Sequence, residues 1–167
     1  MTTSWADFVA AEPTLAQLVE QRFGRFNHHV LGTLRADGAP RLSGLEVDFR
    51  EGDLWLGMMP GSRKAADLLR DPRFALHANP GASSDMDGGD VRVSGRAVPA
   101  TDSEFRWYAR QAGEEVPEVF ALFKADVTEV VRVTIEVPDM VIRTWRPEAG
   151  LRTLRRGNDD TPVREDP

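Results

Sequence analysis

Apolar and polar positions change period several times along this chain. Over residues 14–26, Leu15, Leu18, Val19, Phe23 and Phe26 recur at helical spacing, which predicts an amphipathic helix weakened near its end by Gly24. Strand-like runs follow. Residues 29–35 and 40–49 flank Ala36-Asp37-Gly38, a hairpin signal, and Glu51-Gly52-Asp53 turns the chain into a third run over residues 53–59. These three runs predict an antiparallel meander. The period then lengthens. Residues 63–70 place Ala65, Leu68 and Leu69 on one face of a short helix, which Asp71-Pro72 ends. A short strand is expected over residues 74–78, then a loop rich in Gly, Ser and Asp over residues 79–89. Residues 90–98 alternate cleanly, with valines on one face and Arg92, Ser94 and Arg96 on the other. Thr101-Asp102-Ser103-Glu104 has the form of a capping box and opens a helix through Phe105, Trp107, Tyr108 and Arg110 that breaks at Gly113. A further short helix is expected over residues 117–123. Strands follow over residues 129–137 and 140–145, with a last one including residues 151–154.

About six or seven antiparallel strands with short inserted helices predict a mainly β fold, a small barrel that closes its own edges. No strand–helix–strand alternation and no Gly-x-Gly-x-x-Gly fingerprint is present, which excludes a Rossmann fold.

Composition narrows the function. The chain has 167 residues, 41% hydrophobic and 29% charged, as expected of a single globular domain. A net charge of −6 argues against nucleic acid as a partner. The absence of cysteine removes disulfides, thiolate metal sites and a cysteine nucleophile. No apolar run approaches membrane-spanning length and the first residues do not read as a signal peptide, so the expected location is the cytoplasm. Residues 157–167 are polar and aperiodic and are expected to be disordered.

One segment carries chemistry. In Pro60-Gly61-Ser62-Arg63-Lys64-Ala65 a tight turn leads into a helix that opens with two cations. The first turn of a helix carries unpaired N–H groups and the positive end of the macrodipole, so it ordinarily favours Asp or Glu. An anion in the turn makes the arrangement favourable: a phosphate would meet backbone N–H groups, the Ser62 hydroxyl, the Arg63 fork and the Lys64 ammonium. The competing reading is that both side chains turn into solvent at a penalty of a few tenths of a kcal/mol.

Other candidates are weaker. Neighbouring residues on a strand point to opposite faces, so His28 and His29 are poorly placed to share a metal, and His77 is remote in sequence. No metal site is expected. The segment Ser83-Ser84-Asp85-Met86-Asp87-Gly88-Gly89-Asp90 lacks the spacing and the closing Glu of a calcium loop. Arg143, Trp145 and Arg146 are expected to serve packing. No Gly-x-Ser-x-Gly elbow and no general base is legible, and no catalytic residue is assigned.

The order of blocks resembles the FMN-binding split barrel of the pyridoxamine 5'-phosphate oxidase-like superfamily. Three blocks carry the resemblance. The first is the Asp37-Gly38 hairpin with Pro40-Arg41-Leu42-Ser43. The second is Leu54-Trp55-Leu56-Gly57-Met58-Met59, followed by Ser62-Arg63-Lys64, Leu68 and Asp71-Pro72-Arg73. The third is Asp90-Val91-Arg92-Val93-Ser94-Gly95-Arg96-Ala97. The resemblance spans about residues 14–147 and implies one flavin-binding domain over residues 1–156. It implies FMN as cofactor, with phosphate contacts from Ser62, Arg63, Lys64 and Arg41, and Ser43 also at the cofactor. The isoalloxazine ring would lie along the backbone of Gly57 and Met58. Asp90 stands where a Gln often meets the flavin from the partner subunit, and an ionised carboxylate cannot donate that hydrogen bond. Glu46 stands where some members carry Lys. The resemblance implies a homodimer and flavin-dependent oxidoreduction of a small molecule. Vitamin B6 oxidases carry a C-terminal segment rich in Arg, His and Trp; the chain after Trp145-Arg146-Pro147 does not match it, so pyridoxamine phosphate is not the expected substrate. Two alternatives keep the fold. One is a reductase using the deazaflavin coenzyme, with Arg92, Arg96 and Lys124 meeting its longer tail. The other is a non-enzymatic flavin or haem binder, with His28, His29 or His77 as haem ligands.

Overall fold

The computed structural model describes residues 3–82, 88–113 and 120–167. The chain begins with two short helices, α1 (Trp5–Ala11) and α2 (Pro13–Phe23). The N-terminal helix α1 forms because Ser4 and Asp7 make a reciprocal capping box: the Ser4 side chain accepts from the Asp7 N–H at 3.1 Å, and Asp7 Oδ2 accepts from the Ser4 N–H at 3.0 Å. Sequence periodicity missed this helix, which is barely two turns long. Its fully buried Trp5 and Phe8 supply the aromatic centre of the core.

The strands follow in meander order: β1 (His29–Leu34), β2 (Pro40–Arg50) and β3 (Asp53–Met58). Helix α3 (Arg63–Arg70) then leads to β4 (Arg73–His77) and β5 (Asp90–Pro99). After α4 (Asp102–Ala112) come β6 (Ala121–Glu136), β7 (Asp139–Arg146), β8 (Gly150–Arg156) and β9 (Arg164–Glu165). The nine strands of the described residues share one antiparallel sheet in the order β3-β2-β1-β4-β5-β6-β7-β8-β9. The first half of β6 also pairs with β3, Leu56 opposite Phe123, and this closes β1 to β6 into a barrel. The remaining strands extend the sheet beyond it. The mainly β split barrel expected from the sequence is therefore the fold.

The structure corrects two expectations. Residues 121–123 are strand, not helix: Leu122 turns outward into a small cluster with Trp55 and Tyr108, while Phe123 turns into the main core, an alternation that only a strand provides. Residues 117–119, the start of that expected helix, lie outside the described residues. The polar tail is not featureless either. Its strand β9 pairs with β8, and Arg164 donates to buried Asp139 at 2.8 Å.

The β5–β6 ladder slips by one residue at a bulge beside Ser94 and Gly95. Here the Asp126 carbonyl approaches so closely that a Cβ on Gly95 would stand 2.2 Å from it. The α4 capping box anticipated at Thr101 and Glu104 is present. Lys124 also reaches Glu104 at 2.5 Å, and these contacts lower the Glu104 carboxyl to about 2. No helix among the described residues is long and apolar enough to cross a membrane.

Candidate functional site

Helix α3 starts where the cationic segment predicted it. Ser62 is its N-cap, with Oγ accepting from the Ala65 N–H at 3.3 Å, and no acidic residue lies in its first turn. Gly61 has a φ of +70°, which lets the chain turn sharply out of β3 into the cap. Arg63 is exposed. Lys64 is half-buried and lays its ammonium on the Gly44 carbonyl of β2 at 2.5 Å, and burial lowers its pKa.

A groove of about 620 Å³ runs from Lys64 along β2 and β3 toward α4, with Gly44, Gly57, Met58, Asp48, Tyr108 and Phe120 among its lining residues. Its floor at Gly57 is bare backbone. The Phe120 ring lies directly on it, and a Cβ at position 57 would stand 2.2 Å from Phe120 Cζ. The floor therefore accepts a flat aromatic ring. At the far end Asp48 Oδ2 accepts from Arg50 Nε at 2.8 Å and from the Tyr108 hydroxyl at 3.2 Å. Burial, reinforced by the Asp48 charge and hydrogen bond, pushes the Tyr108 phenol up to about 12, so it stays protonated at neutral pH. At the mouth His28 Nε2 stands 3.2 Å from Glu46 Oε1, both side chains exposed.

The sequence-predicted residues divide into those at the groove and those away from it. Gly57, Met58 and Lys64 line it, and Ser62 and Arg63 sit at its cationic end beside Lys64 in the chain. Ser43 is the chain neighbour of groove residue Gly44, but its hydroxyl is buried without a hydrogen-bond partner among the described residues. Arg41 Nε donates to Asp67 of α3 at 2.6 Å. Asp90 begins β5, where its carboxylate stands 3.1 Å from His77 Nε2; it does not line the groove of its own chain. Arg92 and Arg96 lie on exposed positions of β5, and Lys124 is held by Glu104, so none of the cations suggested for a longer cofactor tail lines the groove.

His29 is buried, and its Nδ1 accepts from the Asn79 N–H at 3.1 Å. Among the described residues no group of three or more His, Asp or Glu side chains is arranged to hold a metal. Residues 83–87, most of the segment weighed as a calcium loop, lie outside the described residues. Trp145 packs against Phe8 in the core at 4.7 Å and Arg146 pairs with Glu129 at 2.5 Å, which are the packing roles anticipated. Sequence reasoning missed Asp48, Arg50, Tyr108 and Phe120 as groove residues. Only the positions of Asp48 and Arg50 on one face of β2 hinted at them.

These features define a class: a closed β-barrel with an open groove that has a bare glycine floor and a cationic helix start at one end. The pyridoxamine 5'-phosphate oxidase family profile matches residues 15–137, and the chain belongs to that family. Solved structures share the fold. A pyridoxamine 5'-phosphate oxidase-related, FMN-binding protein from Nostoc punctiforme is 13% identical, with a TM-score of 0.59 over 87% of this chain and 95% of that one. ChuZ from Campylobacter jejuni is 14% identical, with a TM-score of 0.59 over 83% of this chain and 61% of that one. PhzG from Burkholderia lata, solved with tetrahydrophenazine-1-carboxylic acid, is 15% identical, with a TM-score of 0.54 over 95% of this chain and 90% of that one. A search of curated proteins found no match.

Proposed function

We propose that this protein binds FMN in the groove and is a flavin-dependent oxidoreductase acting on a small molecule other than pyridoxamine phosphate. The observation that carries the reading is the cationic start of α3 at one end of a groove with a bare glycine floor. The donor set fits a phosphate monoester. The Ser62 oxygen caps the helix, which leaves its own O–H to donate outward; Arg63 offers a fork, and Lys64 a point charge beside the first-turn N–H groups. The Gly57 floor fits a planar ring, and Phe120 must turn aside to admit one. Bound there, FMN supplies acceptance and donation of a hydride equivalent. The chain's own part is to hold the phosphate at α3, to seat the ring on β3, and to keep the Tyr108 O–H protonated beside Asp48 where a substrate enters.

A homodimer is part of the proposal. Exposed Val30 and Leu42 share the outer face of β1 and β2 with Gly32 and Gly44, a flat apolar surface suited to a second copy. In such a dimer Asp90 would act on the partner's groove, since it does not line the groove of its own chain.

The test is FMN affinity in an Arg63→Ala/Lys64→Ala double variant, measured by flavin fluorescence. Charge-assisted phosphate contacts contribute roughly 1.5–3 kcal/mol each, so the loss expected is several kcal/mol. Undiminished affinity would remove the phosphate assignment.

A further inference from the structure

A tightly held charge lies one turn along α3 from the groove's Lys64. Asp67 lies in the second turn of α3, three residues after Lys64, and only 3% of it is exposed. Oxygen Oδ2 accepts from Thr33 Oγ1 at 2.9 Å and from Arg41 Nε at 2.6 Å. Oxygen Oδ1 accepts from Arg70 Nη2 at 3.1 Å, and Arg70 also donates to the Leu34 carbonyl. Thr33 and Arg41 are cross-strand partners in the β1–β2 ladder. One carboxylate thus grips two adjacent strands with one oxygen and its own helix with the other.

Burial alone would push this carboxyl up, but the hydrogen bonds from Arg41, Thr33 and Arg70 outweigh it and hold it below the usual range. A buried ion pair adds little net stability over an apolar contact of the same shape; in some proteins its directional bonds fix a register instead. Ala65 and Leu68 already supply the apolar contact of α3 with the core. What Asp67 adds is the roll and height of the helix on β1 and β2. Arg63 and Lys64 lie one turn earlier on the same short helix, so their positions over the groove follow from that setting.

We propose that Asp67 is the positioning residue of the groove's phosphate end, acting through Thr33, Arg41 and Arg70 to set where Ser62, Arg63 and Lys64 present their donors. This rests on the flavin reading above and reassigns Arg41, which acts on the helix through Asp67 rather than on the phosphate.

The experiment compares FMN with riboflavin, which has the same ring and no phosphate, on wild type, Asp67→Asn and the milder Thr33→Val. Hydrogen exchange of the α3 amides is followed in the same flavin-free proteins. The expected result for Asp67→Asn is an FMN affinity at least tenfold weaker with riboflavin affinity changed less than twofold. Faster exchange should be confined to α3, and Thr33→Val should shift both readouts in the same direction by less. A residue that merely stabilises the fold would weaken both flavins alike and speed exchange throughout the barrel; that result, or an unchanged FMN-to-riboflavin ratio, overturns the inference. Wild-type protein that does not prefer FMN over riboflavin overturns the flavin reading itself, and the inference with it, before any variant is compared.

Discussion

At the scale of single residues, His29 shows how burial sets a pH dependence. Its ring is enclosed, with Phe23 against it at 4.8 Å, and Nδ1 accepts a backbone hydrogen bond, which requires the neutral form. Burial, with the neighbouring His28 charge, lowers its pKa from the ordinary 6.5. Below pH 6.5 the unfolded chain therefore binds a proton that the folded chain resists. The contribution of His29 to stability is complete above that pH and is lost as pH falls through it, at no more than about 1.4 kcal/mol per pH unit for one proton. The expected outcome is a melting temperature that drops between pH 7 and 5 in wild type, with a shallower drop in His29→Gln, read by thermal unfolding across that range. The sequence favours a surface or core role for His29 over a metal site, but its partner, Asn79, lies fifty residues away and no local pattern reveals it. The cationic cap at Arg63 and Lys64 was legible because its signal is local: a turn, an N-cap and two charges in succession. Asp67 and Tyr108 were not, because each reaches from its helix to a strand distant in sequence.

At the scale of elements, the strands from β1 to β5 and helices α2, α3 and α4 lie close to where periodicity and caps put them. Misreadings fall where tertiary pairing overrides local pattern. The start of β6 was expected to be helical, and only closure against β3 gives the consecutive apolar residues Leu122 and Phe123 separate apolar destinations. Helix α1 is too short for a periodic signal, although its Ser4 and Asp7 capping pair was there to read. The β5–β6 bulge yields a sharp prediction. Gly95→Ala would drive a methyl into the Asp126 carbonyl and should destabilise the protein by about 1–3 kcal/mol or more. Gly44→Ala has open space around it within one chain and should leave the fold of that chain within about 0.5 kcal/mol of wild type. Chemical denaturation of the two variants checks the contrast.

At the scale of the whole molecule, the N-terminal segment ties the barrel together. The Ala6 N–H donates to the Gly52 carbonyl and the Val127 N–H to the Thr3 carbonyl, each at 2.8 Å, so α1 is bonded to the β2–β3 turn and the residue just before its cap to β6. From there Phe8 reaches Trp145 of β7, and Trp5 reaches Phe49 of β2 at 4.7 Å. Phe8→Ala should cost about 3–5 kcal/mol, lowering the unfolding midpoint in denaturant while the transition remains a single step. The other end of the chain has a different consequence. Because β3 pairs with β6, the sheet closes on itself there, and its open end falls to the far side, at the last strand. There the last strand is two residues long. Its flanks are occupied by charge, with Arg152 on Glu165 at 2.7 Å and Arg155 on Asp166 at 3.0 Å. A strand so short and so charged is a poor template for an incoming one, so the polar tail serves as a stop on sheet growth and protects the protein from edge-to-edge aggregation.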